Sequence, residues 1–413
     1  MRNICLYFQI HHPFSFQTFR FFDIGESKSY YDEWQIEREI QDAAINYYLP
    51  TNNYILQLIH QYKGNLRLSL NISGVALDQF LFYAPELVTS FMQLADTGQV
   101  EFTGSTDSNS IVSLADKKHE FLQSIKRYRE RTEYYFGQKP KLFVNTDLLF
   151  NNRIAEIAAE AGYSAVLTNG TNKILQWRSP NYLYSAQDQK HITVFFRNEN
   201  ISNGLSTILL NQDKTEARNQ IKELLALLNA IRTDEPITNI YLNYKALCGT
   251  NRLEKQGLFR TFVSKIINNK SCCFGLPSRI TEQYGPIAEI GTVEPVCWTE
   301  HFHSDYYPGN ELQNDAINQL FKLCDKAENT KDNNLKIDWK YLQSSDHFHL
   351  MDENHPAYKE NNSIQSSHKS KYDAFINYMN ILEDFRLRLK AEKANQKKMP
   401  THQKPLPSLA KHQ

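Results

Sequence analysis

The sequence has no apolar run long enough to span a bilayer, no zinc or redox spacing among its six cysteines, and no surplus of either charge. The first absence excludes a helical membrane protein. The second concerns Cys5, Cys248, Cys272, Cys273, Cys297 and Cys324, and it predicts reduced thiols in a cytoplasmic setting. The third is a balance of 46 Lys and Arg against 46 Asp and Glu, which argues against nucleic acid or an anionic membrane as the main partner. A secretory leader is not expected either. The run from Met1 to Ile10 is about one strand long, and His11 and His12 follow at once.

What is present is length and pattern. A chain of 413 residues is long enough for two or three domains with ample core. Its 23 Tyr and 24 Phe suit either core packing or sugar-stacking surfaces. Apolar β-branched and aromatic runs predict strands over 3–10, 66–72, 99–103, 141–146, 164–168, 192–196, 238–242 and 271–275. Amphipathic patterns between them predict helices over 36–62, 78–96, 116–136, 152–161, 215–231 and 254–268. Buried strands separated by amphipathic helices imply a parallel sheet covered by helices, and this many units suggest a closed or nearly closed barrel. Function in such barrels collects at the C-terminal strand ends. Those ends carry His11 and His12, Ser73, Ser105 to Asp107, Asp147, Asn169, Asn198, and Asn243 to Lys245.

The texture changes after residue 285. Residues 310–329, 332–347 and 371–393 predict three helices, with a Ser/Asn/His-rich loop before the last. The expected division is a barrel over 1–285, a helical domain over 286–393 and a disordered tail over 394–413, rich in Lys, Gln and Pro. No internal repeat is apparent.

Several stretches carry a resemblance. They are Tyr7 to Phe14 (YFQIHHPF), Ile72 to Phe80 (ISGVALDQF), Ala95 to Phe102 (ADTGQVEF), Asn145 to Asp147, Arg178 to Tyr184 (RSPNYLY), Gly309 to Gln313 (GNELQ), Tyr341 to Phe348 (YLQSSDHF) and Ala374 to Asn380 (AFINYMN). In this order and spread they resemble glycoside hydrolase family 57, in its α-amylase-like branch, over roughly residues 1 to 390. The resemblance implies an α/β fold with an incomplete or pseudo TIM-type (β/α)7 barrel followed by a C-terminal helical domain. It implies retaining cleavage or transfer of α-glucosidic bonds, with no metal and no organic cofactor. It further implies a Glu nucleophile ending the fourth strand and an Asp acid/base ending a later one.

The chain departs from that pattern at both positions. The nucleophile position is Asp147, which keeps the charge but is one methylene shorter. The acid/base position is Asn243, whose amide has no proton to give at neutral pH. General acid–base help is worth roughly 100- to 10,000-fold, so its loss predicts an inactive or very weak enzyme. Neighbouring positions are altered too. Lys245 stands where an acidic residue is usual, Gly249 and Thr250 replace a Glu-His pair, Ser105 and Asn109 replace a Glu and a His, and His12 replaces a Gln. One reading of these changes has Lys245 approach Asp147 and occupy the site as an ion pair, an alternative to Lys245 standing apart from it.

The resemblance assigns sugar contacts to His11 and, from the helical domain, to Asp346, within Ser345-Asp346-His347-Phe348. A carboxylate suits this task because it accepts from two vicinal hydroxyls. The alternatives are a hydrogen bond at the barrel rim for His11 and a turn cap for Asp346. Trp177, Trp298 and Tyr182 are candidate stacking platforms, with plain core packing as the alternative. His347 is grouped with the substrate contacts. A zinc site from His301 and His303 or from His347 and His349 is disfavoured, because deacetylase-type barrels use an Asp with a His-x-x-x-His pair and none is present. Lys117, Lys118, Arg127, Arg129 and Arg131 predict a solvated helix face. The expected partner is an α-glucan (glycogen, starch or a maltooligosaccharide), with an active paralogue as a further partner. The functional readings are a glucan-binding pseudoenzyme, a weakly active hydrolase or glucanotransferase using Asp147, or an interaction scaffold without sugar binding.

Overall fold

The computed structural model describes residues 1–26, 28–211, 213–249, 252–298, 309–355 and 368–398. Among the described residues the strands are β1 (Arg2–Ile10), β2 (Leu68–Ile72), β3 (Val100–Phe102), β4 (Leu142–Val144), β5 (Ala165–Asn169), β6 (Tyr184–Ala186), β7 (Gln189–Arg197), β8 (Ile237–Asn243), β9 (Cys272–Phe274) and β10 (Glu289–Ile290). Seven of these form a ring in the order β4-β5-β7-β8-β1-β2-β3, all pairs parallel. Gly104 closes it between β3 and β4: its N–H donates to the Leu142 carbonyl at 2.8 Å, and its carbonyl accepts from Val144 at 2.9 Å. A Cβ on Gly104 would meet the Tyr163 ring at 2.3 Å, so the closure needs glycine. β6 runs antiparallel against β7, and β9 pairs with the start of β1.

β1 shows why the strands read as continuous apolar runs. Cys5 and Tyr7 point into the barrel beside Leu167, Phe195 and Tyr241, while Ile4, Leu6, Phe8 and Ile10 face the outer helices. A strand covered on both faces has no polar alternation to display. The Tyr7 hydroxyl donates to Asn239 Oδ1 across the interior at 3.1 Å.

Two predicted helices are interrupted, each by a proline. The first runs as Glu33–Ala43, a π turn over Ala44–Tyr48, and Leu49–Gln61. Pro50 has no N–H for the carbonyl of Asn46, and the Arg252 guanidinium donates to that carbonyl instead, at 2.9 Å. The second breaks at Ala84 into Gly74–Tyr83 and Pro85–Asp96.

The C-terminal helices Glu311–Phe321, Asn333–Leu342 and Lys371–Lys398 pack on one flank of the barrel, with two short helices, Cys324–Glu328 and Ser345–His349. They share one apolar core with it: Phe143, Phe150 and Ile154 cluster with Ala316, Leu342, Phe348 and Phe385. The long last helix takes in the first residues of the predicted tail, to Lys398; the remainder, from 399, lies outside the described residues. So do Thr250, His301, His303 and most of the Ser/Asn/His-rich loop.

An ionic clamp joins the helical part to the barrel, and it corrects the expectation of a solvated basic face at Arg131, while Lys118 and Arg127 are exposed as expected. Arg131 donates to Asp78 and to Asp107, both at 2.5 Å. Lys340, on the helix Asn333–Leu342, reaches Asp78 at 2.5 Å and Asp107 at 3.5 Å. The Tyr341 hydroxyl donates to the same Asp78 oxygen that Lys340 holds, at 3.1 Å. Arg129 is likewise structural, donating to the carbonyls of Pro140, Ala161 and Gly162. Burial pushes the Asp107 carboxyl up, but Lys340, Arg131 and Arg127 outweigh it and hold it below its ordinary value. Removing one partner of such a group strands the others. Arg131→Met should therefore lower unfolding free energy by about 3 kcal/mol in urea titration. Adding Asp78→Asn should cost less than the sum of the two single changes, because they share this clamp.

Candidate functional site: the barrel mouth

The turn after β4 positions Asp147. Asp147 and Leu148 both have left-handed backbones, with φ of 52° and 50°. Non-glycine residues in that region cost about 1–3 kcal/mol and persist only where the surroundings fix them. Here they do. Trp298 N–H donates to the Asp147 carbonyl at 2.7 Å, and the Thr168 hydroxyl donates to the Leu148 carbonyl at 2.9 Å. Asn145 spans the turn by donating to the Leu149 carbonyl. The carboxylate is thereby aimed out of the sheet at a set place, with its side chain 10% exposed.

The partner of Asp147 is His349, not Lys245. His349 Nε2 lies 2.8 Å from Asp147 Oδ2. Burial pushes the imidazole down, but Asp147 more than offsets it, with help from Asp346, and His349 stands above its ordinary value. The expected ion pair of Lys245 with Asp147 is absent; Lys245 is exposed, and its charge acts on His12 and Cys248. Asn243 sits at the end of β8 with its side-chain oxygen turned back on the chain, accepting the Lys245 N–H at 2.9 Å. There it caps the short turn Tyr244–Leu247.

His11 ends β1 and joins a second carboxylate. His11 Nε2 lies 2.8 and 3.0 Å from the two oxygens of Asp346, and Nδ1 lies 2.7 Å from Ser73 Oγ. Ser73 in turn caps the helix Gly74–Tyr83 by accepting from Ala76. With Asp346 ionised, Nε2 is the donor of this pair. The Ser344 hydroxyl donates to Asp346 as well, at 2.6 Å. Burial pushes the Asp346 carboxyl up; His11, Ser344 and His349 outweigh it and hold it well below the usual carboxylate range.

The remaining predicted residues divide. Asn109 is buried and clamps the short helix Ser345–His349 to the barrel: its Nδ2 donates to Ser345 Oγ at 2.9 Å and its carbonyl accepts from Ser345 at 3.0 Å. Ser105 is buried in the same loop. Trp298 stands beside Asp147, edge-on to Tyr241, with the buried Arg197 guanidinium 4.4 Å from its ring centre. His12 is half-buried and pushed down to about 3, chiefly by desolvation, with Lys245 and His11 adding to it.

Two residues do not join the mouth. His347 is 5% exposed, stacks on Phe16 with ring centres 3.8 Å apart, and contacts the Tyr341 carbonyl; burial lowers it to about 4. It belongs to the core of the helical part, which corrects its grouping with the substrate contacts. Trp177 is 85% exposed and shares no ring contact or hydrogen bond with the mouth residues. Tyr182, also weighed as a platform, donates its hydroxyl to the exposed Asp234 at 2.6 Å.

Sequence reasoning missed His349 as a mouth residue. The signal was present in the His347-Phe348-His349 spacing. Two residues apart on a helix point to nearly opposite sides, so one ring is buried and the other reaches out. The same geometry keeps the pair from sharing a metal. Among the described residues no group of three or more His, Cys, Asp or Glu side chains is placed to hold a metal ion. Asp147→Asn should leave the burial of His349 while removing its charge partner. Its pKa, followed by the imidazole Cε1–H resonance, should then fall; an unchanged titration would show that Asp147 does not set it.

Residues 5–290 match the sequence profile described as Glycosyl hydrolase family 57. A Methanocaldococcus jannaschii protein named "Putative alpha-amylase" is 29% identical over 379 residues, covering 87% of this chain and 79% of that one. A family 57 branching enzyme from Thermococcus kodakaraensis superposes with a TM-score of 0.71 at 13% identity, covering 96% of this chain and 92% of that one. The 4-alpha-glucanotransferase of Thermococcus litoralis gives 0.57 at 15% identity, with 85% of this chain covered but only 51% of the other. These structures share the barrel with its helical appendage, as the ring of seven strands and the C-terminal helices require. The profile match spans well over half of the sequence, and the chain belongs to glycosyl hydrolase family 57.

Proposed function

We propose that this chain works in α-glucan metabolism as a glucan-binding protein whose glycosidic cleavage is lost or very weak. The observation that carries the reading is the double neutralisation of the mouth. Asn243 spends its side-chain oxygen on the Lys245 N–H, and Asp147 is held by His349. Retaining cleavage needs a carboxylic acid that protonates the departing oxygen and a free carboxylate that attacks the anomeric carbon. Position 243 supplies neither a proton nor a charge. Position 147 supplies a carboxylate already paired with an imidazole.

Binding needs less. His11 and Asp346 stand together at the C-terminal end of β1, and Trp298 presents a ring beside Asp147. The family and the names of the similar proteins support an α-glucan as the ligand. The barrel over 1–285 is proposed as the binding unit and the helical part over 286–393 as its support, brought to the mouth by Asp346. An active paralogue that uses such a protein as a carrier of its substrate fits the same reading.

Maltoheptaose should bind in calorimetry, and prolonged incubation should release little or no shorter product. Restoring the family's residues at both positions with Asp147→Glu and Asn243→Asp should raise release by about 100-fold or more, the scale of general acid help. Fast release by the unaltered protein, lost in Asp147→Ala, would overturn the reading in favour of a working hydrolase or transferase. Calorimetry without heat of binding would leave an interaction scaffold.

A further inference from the structure

The turn after β8 gathers positive charge on one side of the mouth. Asn243 fixes this turn by accepting the Lys245 N–H, and the Cys248 N–H closes it on the Lys245 carbonyl at 3.1 Å. Tyr244, Ala246, Leu247 and Cys248 are buried, which leaves Lys245 as the exposed residue of the stretch. Its charge acts on His12, beyond the end of β1. Gln9 and Asn243 are ladder partners, so these two strand ends stand side by side.

Two more cations reach the same turn from the helix Arg252–Ile267. Lys255 Nζ donates to the Cys248 carbonyl at 3.0 Å. Arg252, three places earlier and therefore on the same helix face, gives one N–H to the Asn46 carbonyl at 2.9 Å. Cys248 marks where the three charges meet. Burial pushes its thiol up to about 11, against its contact with Thr51 and against the charges of Lys255, Lys245 and Arg252.

These cations lack carboxylates. Among the described residues none of Lys245, Arg252 and Lys255 forms an ion pair. Asp147 and Asp346 at the mouth are each taken by an imidazole. Glu254, the acidic residue in the first turn of the helix, is two places from Arg252 and so projects to another side. An exposed lysine alone is a solvated charge and implies nothing. Lys255 is different: it is half-buried, and desolvation holds its ammonium below its ordinary value. A charge withdrawn from water is costly unless an anion pairs with it. The Cys248 carbonyl offers a hydrogen bond but no countercharge.

The number of cations says what would fit. A phosphate monoester carries a charge of about −1.5 to −2 at pH 7 and three strong acceptor oxygens. A glucan hydroxyl would leave all three charges unmatched. We propose that the rim formed by Lys245, Arg252 and Lys255 binds a phosphate monoester on the sugar that the mouth holds. That the phosphate is carried by a sugar rests on the proposed function; the anion site rests on the cations alone. The phosphate could arrive on a glucose unit within a glucan or on a free sugar phosphate.

Calorimetry on the full chain with four ligands tests this: maltoheptaose, maltoheptaose phosphorylated at one 6-hydroxyl, glucose, and glucose 6-phosphate. A phosphorylated ligand should bind about tenfold or more tighter than its neutral counterpart, and added salt should shrink the difference. Lys245→Glu, at an exposed position, should abolish the preference, and Lys255→Met should cut it about tenfold. Tighter binding of the phosphorylated chain than of glucose 6-phosphate identifies a phosphorylated glucan as the source; equal binding identifies a free sugar phosphate. Equal affinity for phosphorylated and neutral ligands overturns the proposal, and so does a preference that survives Lys245→Glu. Heat from glucose 6-phosphate that Lys245→Glu removes, with none from either chain, would end the glucan reading and keep the anion site. Heat from both chains without a phosphate preference would do the reverse.

Discussion

The site depends on one short helix, Ser345–His349, being pressed onto the barrel mouth. That helix delivers Asp346 to His11 and His349 to Asp147 within a single turn and a half. Its seat is made by Asn109, which holds both the hydroxyl and the backbone N–H of Ser345, and by Ser110, which donates to Gln343 at 2.8 Å. Behind it the Asp78–Arg131–Lys340–Asp107 clamp and the shared apolar core keep the helical part from sliding. The mouth is thus a joint of two parts of the chain more than 200 residues apart in sequence, with the Asp147 pair spanning 202 and the Asp346 pair 335.

That construction explains what could be read in advance and what could not. The ring of parallel strands was legible because burial on both faces leaves a direct trace in composition, as in β1 and β8. The helices at 36–62 and 78–96 were legible in outline, and their breaks at Pro50 and Pro85 follow from a missing N–H. The helix Glu199–Leu210 was not expected, because Asn203, Gly204, Ser202 and Ser206 are weak helix formers; Asn198 capping and packing of Ile201, Leu205 and Leu209 override that preference. The helix Asp332–His347 was expected as one piece, but the chain ends it at Leu342 and restarts at Ser345, with the Asn109 clamp holding the restart.

The same limits apply at the site. His11, Asp147, Asn243 and Asp346 were found because strand ends and a family pattern point to them. Their partners were not, because a pairing such as Asp147 with His349 is a long-range fact that no local spacing encodes. The expectation for Lys245 failed for a related reason. Its backbone N–H is bound by Asn243 in a tight turn, and a side chain starting there is exposed rather than directed across the mouth. The expectation for Arg129 and Arg131 failed differently. A helix face that looks solvated in a charge count becomes an interior seam once a second layer packs on it.

Under the proposed function, the electrostatics of the mouth would favour holding a sugar over cutting one. A retaining site must stabilise positive charge that develops at the anomeric carbon, and it does so with a carboxylate free to face that charge. Here each mouth carboxylate already has an imidazole: Asp147 has His349, and Asp346 has His11. Because Asp147 raises the pKa of His349, protonation adds positive charge at the very place where a cationic transition state would form, and the penalty grows as pH falls through that raised value. A neutral glucose ring, as proposed here for the ligand, would suffer no such penalty. It would meet oxygen atoms that can accept from its hydroxyls, on a scaffold whose strained turn at Asp147 is held by the bonds from Trp298 and Thr168. On that proposal the charge distribution of the mouth favours the ground state.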